Sequence, residues 1–429
     1  MRFTVFRRFL AASGLANLGD GIALVSWGWI ATALTRDPLL IALVPVALKT
    51  PWFVFSLPAG IVVDRHDRRR LILAADTLRA VTYASAALAL WWALPFGEPA
   101  LRGTDHPGVF VLVAAAAISV GLAEVLRDNA AQTMLPALVP QDGLERANGR
   151  LWSVEYVMNN FIGTAAAGVL LGISLALPFG VNAAVLALSA TLVLRVGGDF
   201  RADPGETADR RRWHEELREG FAFLVSDEIL RNLALLTGLF NFAFEAMLIT
   251  LVLIVRERLQ LGPLALSGIM AAGGVGGVLA GMANERLLRL LGRARSMQLW
   301  LAVSLVFPSA VLFAGGGQTG LAIIAMAFLV TEFGSVIWNT VSVSYRQRTI
   351  PRRLLGRVNS AYRLFAIGMA PLGMLAAGLL IRFSSNAMPR EAALLAPYLM
   401  ALALLVAGCV CSWRFLARAF AVEPPRSPR

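Results

Sequence analysis

Lysine occurs once in the 429 residues, at Lys49, and cysteine only twice, at Cys409 and Cys411. Charged residues make up 15% of the chain, where a soluble globular protein carries about a quarter. The two cysteines are two positions apart in one apolar stretch. On a helix they do not face each other, so they read as small packing residues rather than a disulfide or metal site. The three histidines, His66, His106 and His214, all fall in predicted loops, and no histidine cluster exists to hold a metal within the membrane. No convergent set of nucleophiles, histidines or metal ligands is visible, which argues against an enzyme. No cofactor is expected. The net charge of +12 is carried by arginines gathered in alternate short loops. That is a topology signal and not a nucleic-acid patch.

What the chain has instead is apolar sequence. The hydrophobic set makes up 57% and the mean hydropathy is +0.67. Stretches of about twenty apolar residues, each long enough to cross a bilayer as a helix, recur from end to end. They lack the period-two alternation of barrel strands, so they are predicted as helices that satisfy their own backbone hydrogen bonds. The predicted spans are 9–34, 38–63, 71–93, 109–130, 151–175, 178–196, 229–255, 264–284, 297–314, 318–343, 358–381 and 392–413. The turn between the fifth and sixth is expected at Pro178–Gly180. The first run, Phe9 to Leu34, is too long for a signal peptide and contains Asn17 and Asp20, so it is kept as a span.

Arginine placement sets the topology. Thirty arginines lie in the loops at residues 1–8, 64–70, 127–150, 195–231, 285–296, 344–357 and 414–429. Six lie in the alternate loops, and Lys49, Arg79 and Arg363 lie in spans. The arginine-rich face is expected to be cytoplasmic, with both termini on it. The longest loop of that face leads into an amphipathic segment, Trp213 to Leu224. Its Leu217, Phe221 and Leu224 share a helical face expected to lie at the membrane surface. The expected domains are a six-helix bundle over 1–196, a linker with an amphipathic helix over 197–228, and a second six-helix bundle over 229–429. An internal repeat supports the division: Pro140–Asn148 resembles Pro351–Asn359, and Gly60–Arg65 resembles Gly281–Arg286. Two halves of like topology place a substrate site at their interface near the bilayer midplane.

The loop after span 2 reads Gly60-Ile-Val-Val-Asp64-Arg65-His66-Asp67-Arg68-Arg69-Arg70. It resembles the signature loop of the major facilitator superfamily, with Asp67 where that family usually has a second glycine. A positive φ there would suit glycine best, and aspartate tolerates it better than most residues. Asn17, Asp20 and Gly21 in span 1, the Pro351–Asn359 run and Pro371-Leu-Gly373 are similar to the drug, macrolide and siderophore exporter branch. The resemblance implies an all-α membrane protein of about twelve helices in two six-helix pseudo-repeat bundles, acting as a monomer. It also implies a conformational latch at Gly60, Asp64, Arg65 and Arg69. Gly163 and Gly168 partly match the family's antiporter motif, with Thr164 in place of its proline.

The acids within spans are the most informative residues: Asp20, Glu124, Glu245 and Glu332, in spans 1, 4, 7 and 10. A carboxylate at the bilayer centre costs several kcal/mol unless it meets water or a partner, and marks an ion or substrate path by default. In the resemblance these four spans line the central cavity. Asp20 is the first choice for a proton carrier and Glu124 the second, unless Arg127, one turn away, pairs with Glu124. Asp76 and Arg79 are expected to pair with the arginine loop. Asn17, Lys49, Asn241, Phe242, Asn339 and Arg363 are candidate cavity residues, and Trp27, Trp29, Phe240, Phe244 and Trp338 are aromatic neighbours. Gly273–Gly277 with Gly281 is read as a close-packing helix face. These features predict a secondary transporter in the bacterial inner membrane, surrounded by lipid. It would export amphipathic or cationic small molecules, coupled to protons, with sodium the other candidate ion. The alternative is a lysophospholipid flippase of the same fold.

Overall fold

The computed structural model describes residues 2–139, 144–198, 200 and 213–420. Among them every regular element is helical. Eleven helices are long and apolar enough to cross a membrane. One of these, Pro263–Phe313, has 51 residues. That length would extend about 77 Å as a single helix, against a hydrocarbon core of about 30 Å. Gly292, at φ 73° and ψ 167°, divides it with a backbone that favours glycine. The twelve spans are therefore Arg2–Leu34, Pro38–Arg65, Arg68–Ala93, Pro107–Leu138, 144–173, Leu177–Leu194, Glu228–Arg258, 263–291, 293–313, Gly317–Thr349, Arg352–Ser384 and Arg390–Ala419.

Helix starts follow local chemistry. Asp37, Asp67 and Asp227 cap spans 2, 3 and 7, accepting from the N–H groups of Leu39, Arg70 and Leu230, which satisfies donors that the helix leaves unpaired. Two expectations need correction here. Pro178 and Gly180 do not form the turn between spans 5 and 6, because both lie inside the helix Leu177–Leu194. A proline in the first turn loses no hydrogen bond and has the φ a helix needs. Asp67 has φ −63°, so the position calls for a cap and not for a glycine.

In the first half, span 3 packs on spans 4 and 6, span 2 on span 4, and span 1 on spans 5 and 6. In the second, span 7 packs on spans 11 and 12. The glycine run of span 8 has two faces. A Cβ on Gly273 or Gly276 would strike Phe328 or the Leu329 carbonyl of span 10, and one on Gly274 or Gly277 would strike Asn160 or Tyr156 of span 5. Gly281, expected to join this face, has open space around it. The halves meet where span 2 packs on span 11 and span 5 on span 8. Gly168 of span 5 makes the same kind of close approach, to Ser267 of span 8.

The amphipathic segment forms a helix, Trp213–Ser226. It packs against span 11. Leu224 is buried, Phe221 is 51% exposed, and Glu219 pairs with Arg357. The side chain of Leu217 lies outside the described residues, as do residues 140–143 of the repeat.

Candidate functional site

Between the halves lies a cavity lined by spans 1, 2, 7, 8 and 11. Its wall is mostly apolar, formed by residues such as Leu24, Trp27, Leu248, Val252, Leu266 and Met374. Two charges line it: Lys49 from span 2 and Glu245 from span 7. Both are half-buried. Lys49 is the cation that acts on Glu245. Spans 1 and 7 thus line the cavity as expected, whereas spans 4 and 10 contribute no residue to its wall.

Glu332 of span 10 is half-buried. Its Cγ lies 3.1 Å from where a Cβ on Gly273 would stand, behind the span 8 wall. Its charge acts on Tyr156 of span 5, and the charge of Glu245 acts on it. The Tyr156 hydroxyl is 3.5 Å from the Gly274 carbonyl, across the junction of the halves.

Asp20 forms an ion pair with Arg79 of span 3, whose side chain has no exposed surface. This replaces the expected pairing of Arg79 with the arginine loop. Arg79 is eleven residues into a helix that starts at Arg68, about 16 Å along its axis, and so lies near mid-membrane. Glu124 is also within electrostatic reach of Arg79. Arg127 turns away from Glu124 and binds Asp76 at 2.9 Å, with Asp128 at 3.5 Å. Asp76 is fully buried and also accepts from Ser189 Oγ at 2.7 Å. The span 1 motif now has a local reason. Asp20 meets Arg79, and Gly21 allows the Asn159 backbone of span 5 to approach where a side chain would collide.

Several candidates lie off the wall of this cavity. Asn17 donates to the Ser13 carbonyl within its own helix at 3.0 Å. Asn241 donates to the Ala366 carbonyl of span 11 at 2.8 Å. Phe240, Phe244, Trp300 and Trp338 form an aromatic column inside the second half. Phe242 is half-buried, and its carbonyl faces Gly373, the glycine of Pro371-Leu-Gly373, where a Cβ would collide. Asn339 is exposed. Arg363 is exposed and lines a second cavity with Trp52, Phe53, Asn129 and Ser360. In the latch loop, Arg69 donates to the Val193 and Leu194 carbonyls at the end of span 6, within its own half. Gly60 has open space and Arg65 is exposed, while the side chain of Asp64 lies outside the described residues.

The face opposite the termini carries a feature the sequence reading missed. The turn between spans 1 and 2 is gripped by three arginines of the other half. Arg256 donates to the Thr32 carbonyl and, at 2.9 Å, to its hydroxyl. Arg382 pairs with Asp37 at 3.4 Å. Arg390 donates to the Arg36 carbonyl at 2.9 Å while Glu257 holds its guanidinium through two 2.8 Å bonds. Arg102 of the first half donates to Asn386 of the second. The one available signal was the rarity of arginine on this face.

Comparison with known proteins agrees with this geometry. The chain is 26% identical over 387 residues to the multidrug efflux pump Tap of Mycolicibacterium fortuitum, covering 86% of this chain and 87% of the relative. It is 23% identical over 337 residues to macrolide efflux protein A of Enterococcus faecalis, covering 76% and 95%. Its fold matches a crystal structure of the nucleoside transporter NupG with a TM-score of 0.71 and 12% identity, over 95% of this chain and 98% of the other. The sequence profile of the Major Facilitator Superfamily matches residues 9–371. With twelve spans in two halves and a cavity between them, the chain belongs to the major facilitator superfamily of membrane transporters.

Proposed function

We propose that the protein is a proton-coupled exporter of amphipathic, cationic small molecules, working by alternating access as a monomer in the bacterial inner membrane. Both termini are cytoplasmic in this reading, because most arginines lie on their face. The moving bodies are the bundles of 1–196 and 229–429, joined through 197–228. The arginine clamp closes the external mouth, so substrate loads from the cytoplasm and leaves when the clamp opens. The names of the two relatives favour drug export over the lysolipid alternative.

One observation carries the coupling. Asp20 is paired with the fully buried Arg79 of span 3, and Glu124 of span 4 is within electrostatic reach of the same guanidinium. Arg127 and Asp128 act on Arg79 too, so the acids of spans 1 and 4 stand in one buried network of charges. Acids at such depth mark an ion path by default. In this reading the network takes up a proton from outside and releases it inside as access alternates.

The test is transport in proteoliposomes with a panel of cationic dyes, macrolides and lysolipids, wild type against Asp20→Asn and Glu124→Gln. Export should collapse with the pH gradient and in Asp20→Asn, and should survive replacement of sodium by choline. Lysolipid movement that ignores both the gradient and Asp20→Asn would overturn the reading.

A further inference from the structure

The lone lysine of the chain stands in the transport cavity. Lys49 is eleven residues into span 2, about 16 Å along the helix, too far for its stem to carry the ammonium to either membrane surface. Its position therefore has an internal reason. It faces Glu245 across a mostly apolar cavity, and among the described residues no ion pair within 4.0 Å joins it to any acid. The space between the two groups is open to a ligand.

The two charges belong to different halves and balance each other. An acid alone in such a cavity is costly, and a second cation arriving beside the first meets repulsion. Lysine is suited to a reversible partner, since it is a compact charge on a flexible four-carbon stem. We propose that Glu245 is a subsite for the cationic centre of substrates with an apolar body, and that Lys49, lining the same cavity from the other half, is the fixed cation that competes with them for its charge. The proposal rests on the export reading for its ligand class. Glu245 compensates Lys49 when the cavity is empty and the substrate's cation when it is full. Lys49 then selects against weak cations by competing with them.

Binding at equilibrium tests this without a gradient. The protein in nanodiscs is titrated with tetraphenylphosphonium, a permanent cation, and with neutral triphenylphosphine oxide. Lys49→Met should bind the cation at least fivefold more tightly than wild type, and Glu245→Gln at least fivefold more weakly. In the double variant the gain from Lys49→Met should vanish. The neutral probe should bind all four proteins within twofold. Unchanged or weakened cation binding in Lys49→Met overturns the proposal, as does a gain that persists undiminished with Glu245→Gln.

A second readout needs no variant. Lys49 is the only side-chain amine, so acylation of Lys49 can be followed by mass spectrometry against the N-terminal amine. Adding tetraphenylphosphonium should raise Lys49 acylation at least threefold as the bound cation takes over the charge of Glu245, and no change or a decrease overturns the proposal. If binding behaves as expected but gradient-driven export is absent, the coupling reading fails and the subsite stands. If export is coupled but Lys49→Met does not tighten binding, the subsite fails and the coupling stands.

Discussion

Breaking the arginine clamp should open the external face, and the size of the effect follows from its contacts. Arg382 is 38% exposed, so its pair with Asp37 is screened and contributes only ~0.5 kcal/mol. Arg390 is better placed. Its two bonds to Glu257, with both side chains about a quarter exposed, fix the guanidinium so that it also donates to the Arg36 carbonyl. A charged donor to a neutral acceptor contributes about 1–2 kcal/mol. Arg256, with two acceptors on Thr32, contributes a similar amount. Arg390→Ala alone should therefore shift the closed-to-open ratio by roughly 5–30-fold, and the triple variant Arg256→Ala, Arg382→Ala, Arg390→Ala by about two to three orders of magnitude. Pulsed electron spin resonance between labels at Leu101 and Met388, both exposed and on this face, reads the distance directly once Cys409 and Cys411 are replaced by serine. The triple variant should populate a longer distance. Arg258→Ala is the control, because Arg258 caps the end of span 9 within its own half at the Val311 and Ala314 carbonyls, and it should leave the distance unchanged. A triple variant with the wild-type distribution refutes the clamp.

Three further outcomes are expected. Asp76→Ala leaves the wholly buried Arg127 without its 2.9 Å partner, so thermal unfolding in detergent should show a loss of about 3–5 kcal/mol. The double variant with Arg127→Met should lose less, and equal losses would show that the two charges do not act as a pair. Gly276→Ala forces a Cβ into the Leu329 backbone and should cost ~1–3 kcal/mol, whereas Gly281→Ala, in open space, should be neutral or stabilising by up to ~1 kcal/mol; the same melting assay ranks them, and the reverse order would be incompatible with the packing described. Asp67→Ala removes the side-chain acceptor for the Arg70 amide and should cost about 1 kcal/mol, while Asp67→Asn keeps the cap and should match wild type; a gain in stability with Asp67→Gly would instead show that a positive φ is the requirement.

The fold was legible because its cause is local. Twenty apolar residues report a span without reference to any other part of the chain. The residues of the site were legible by type, but their partners were not. Asp20 and Arg79 are 59 positions apart, and their meeting depends on the rotation of spans 1 and 3 about their own axes. Starting span 3 at residue 71 instead of Arg68 also placed Arg79 too near the membrane surface. Arg127 illustrates the same limit. Helical spacing allowed Glu124, and packing of spans 3 and 4 gave Asp76 instead. Phe240, Phe244 and Trp338 were named only as aromatic neighbours that could shape the pocket, and the structure stacks them in one aromatic column of the second half. The clamp was hidden because its acceptors include backbone carbonyls of Thr32 and Arg36, which carry no side-chain signature.

The repeat makes the contrast between the two halves informative. Asp20 and Glu245 occupy corresponding spans, yet their charges are balanced differently. Asp20 has its cation, Arg79, in its own half, so under the proposed alternating access the pair would move as one body. Glu245 has Lys49, which belongs to the other half. Rocking of the bundles leaves the first pair intact and changes the separation of the second. An acid compensated from its own half is suited to holding and releasing a proton as water access changes, because its field stays constant through the cycle. An acid compensated across the interface has its field altered by the motion itself, which is what a substrate site needs in order to bind on one side and release on the other. On the proposed reading, a division of labour between the halves follows from where each counter-ion is anchored.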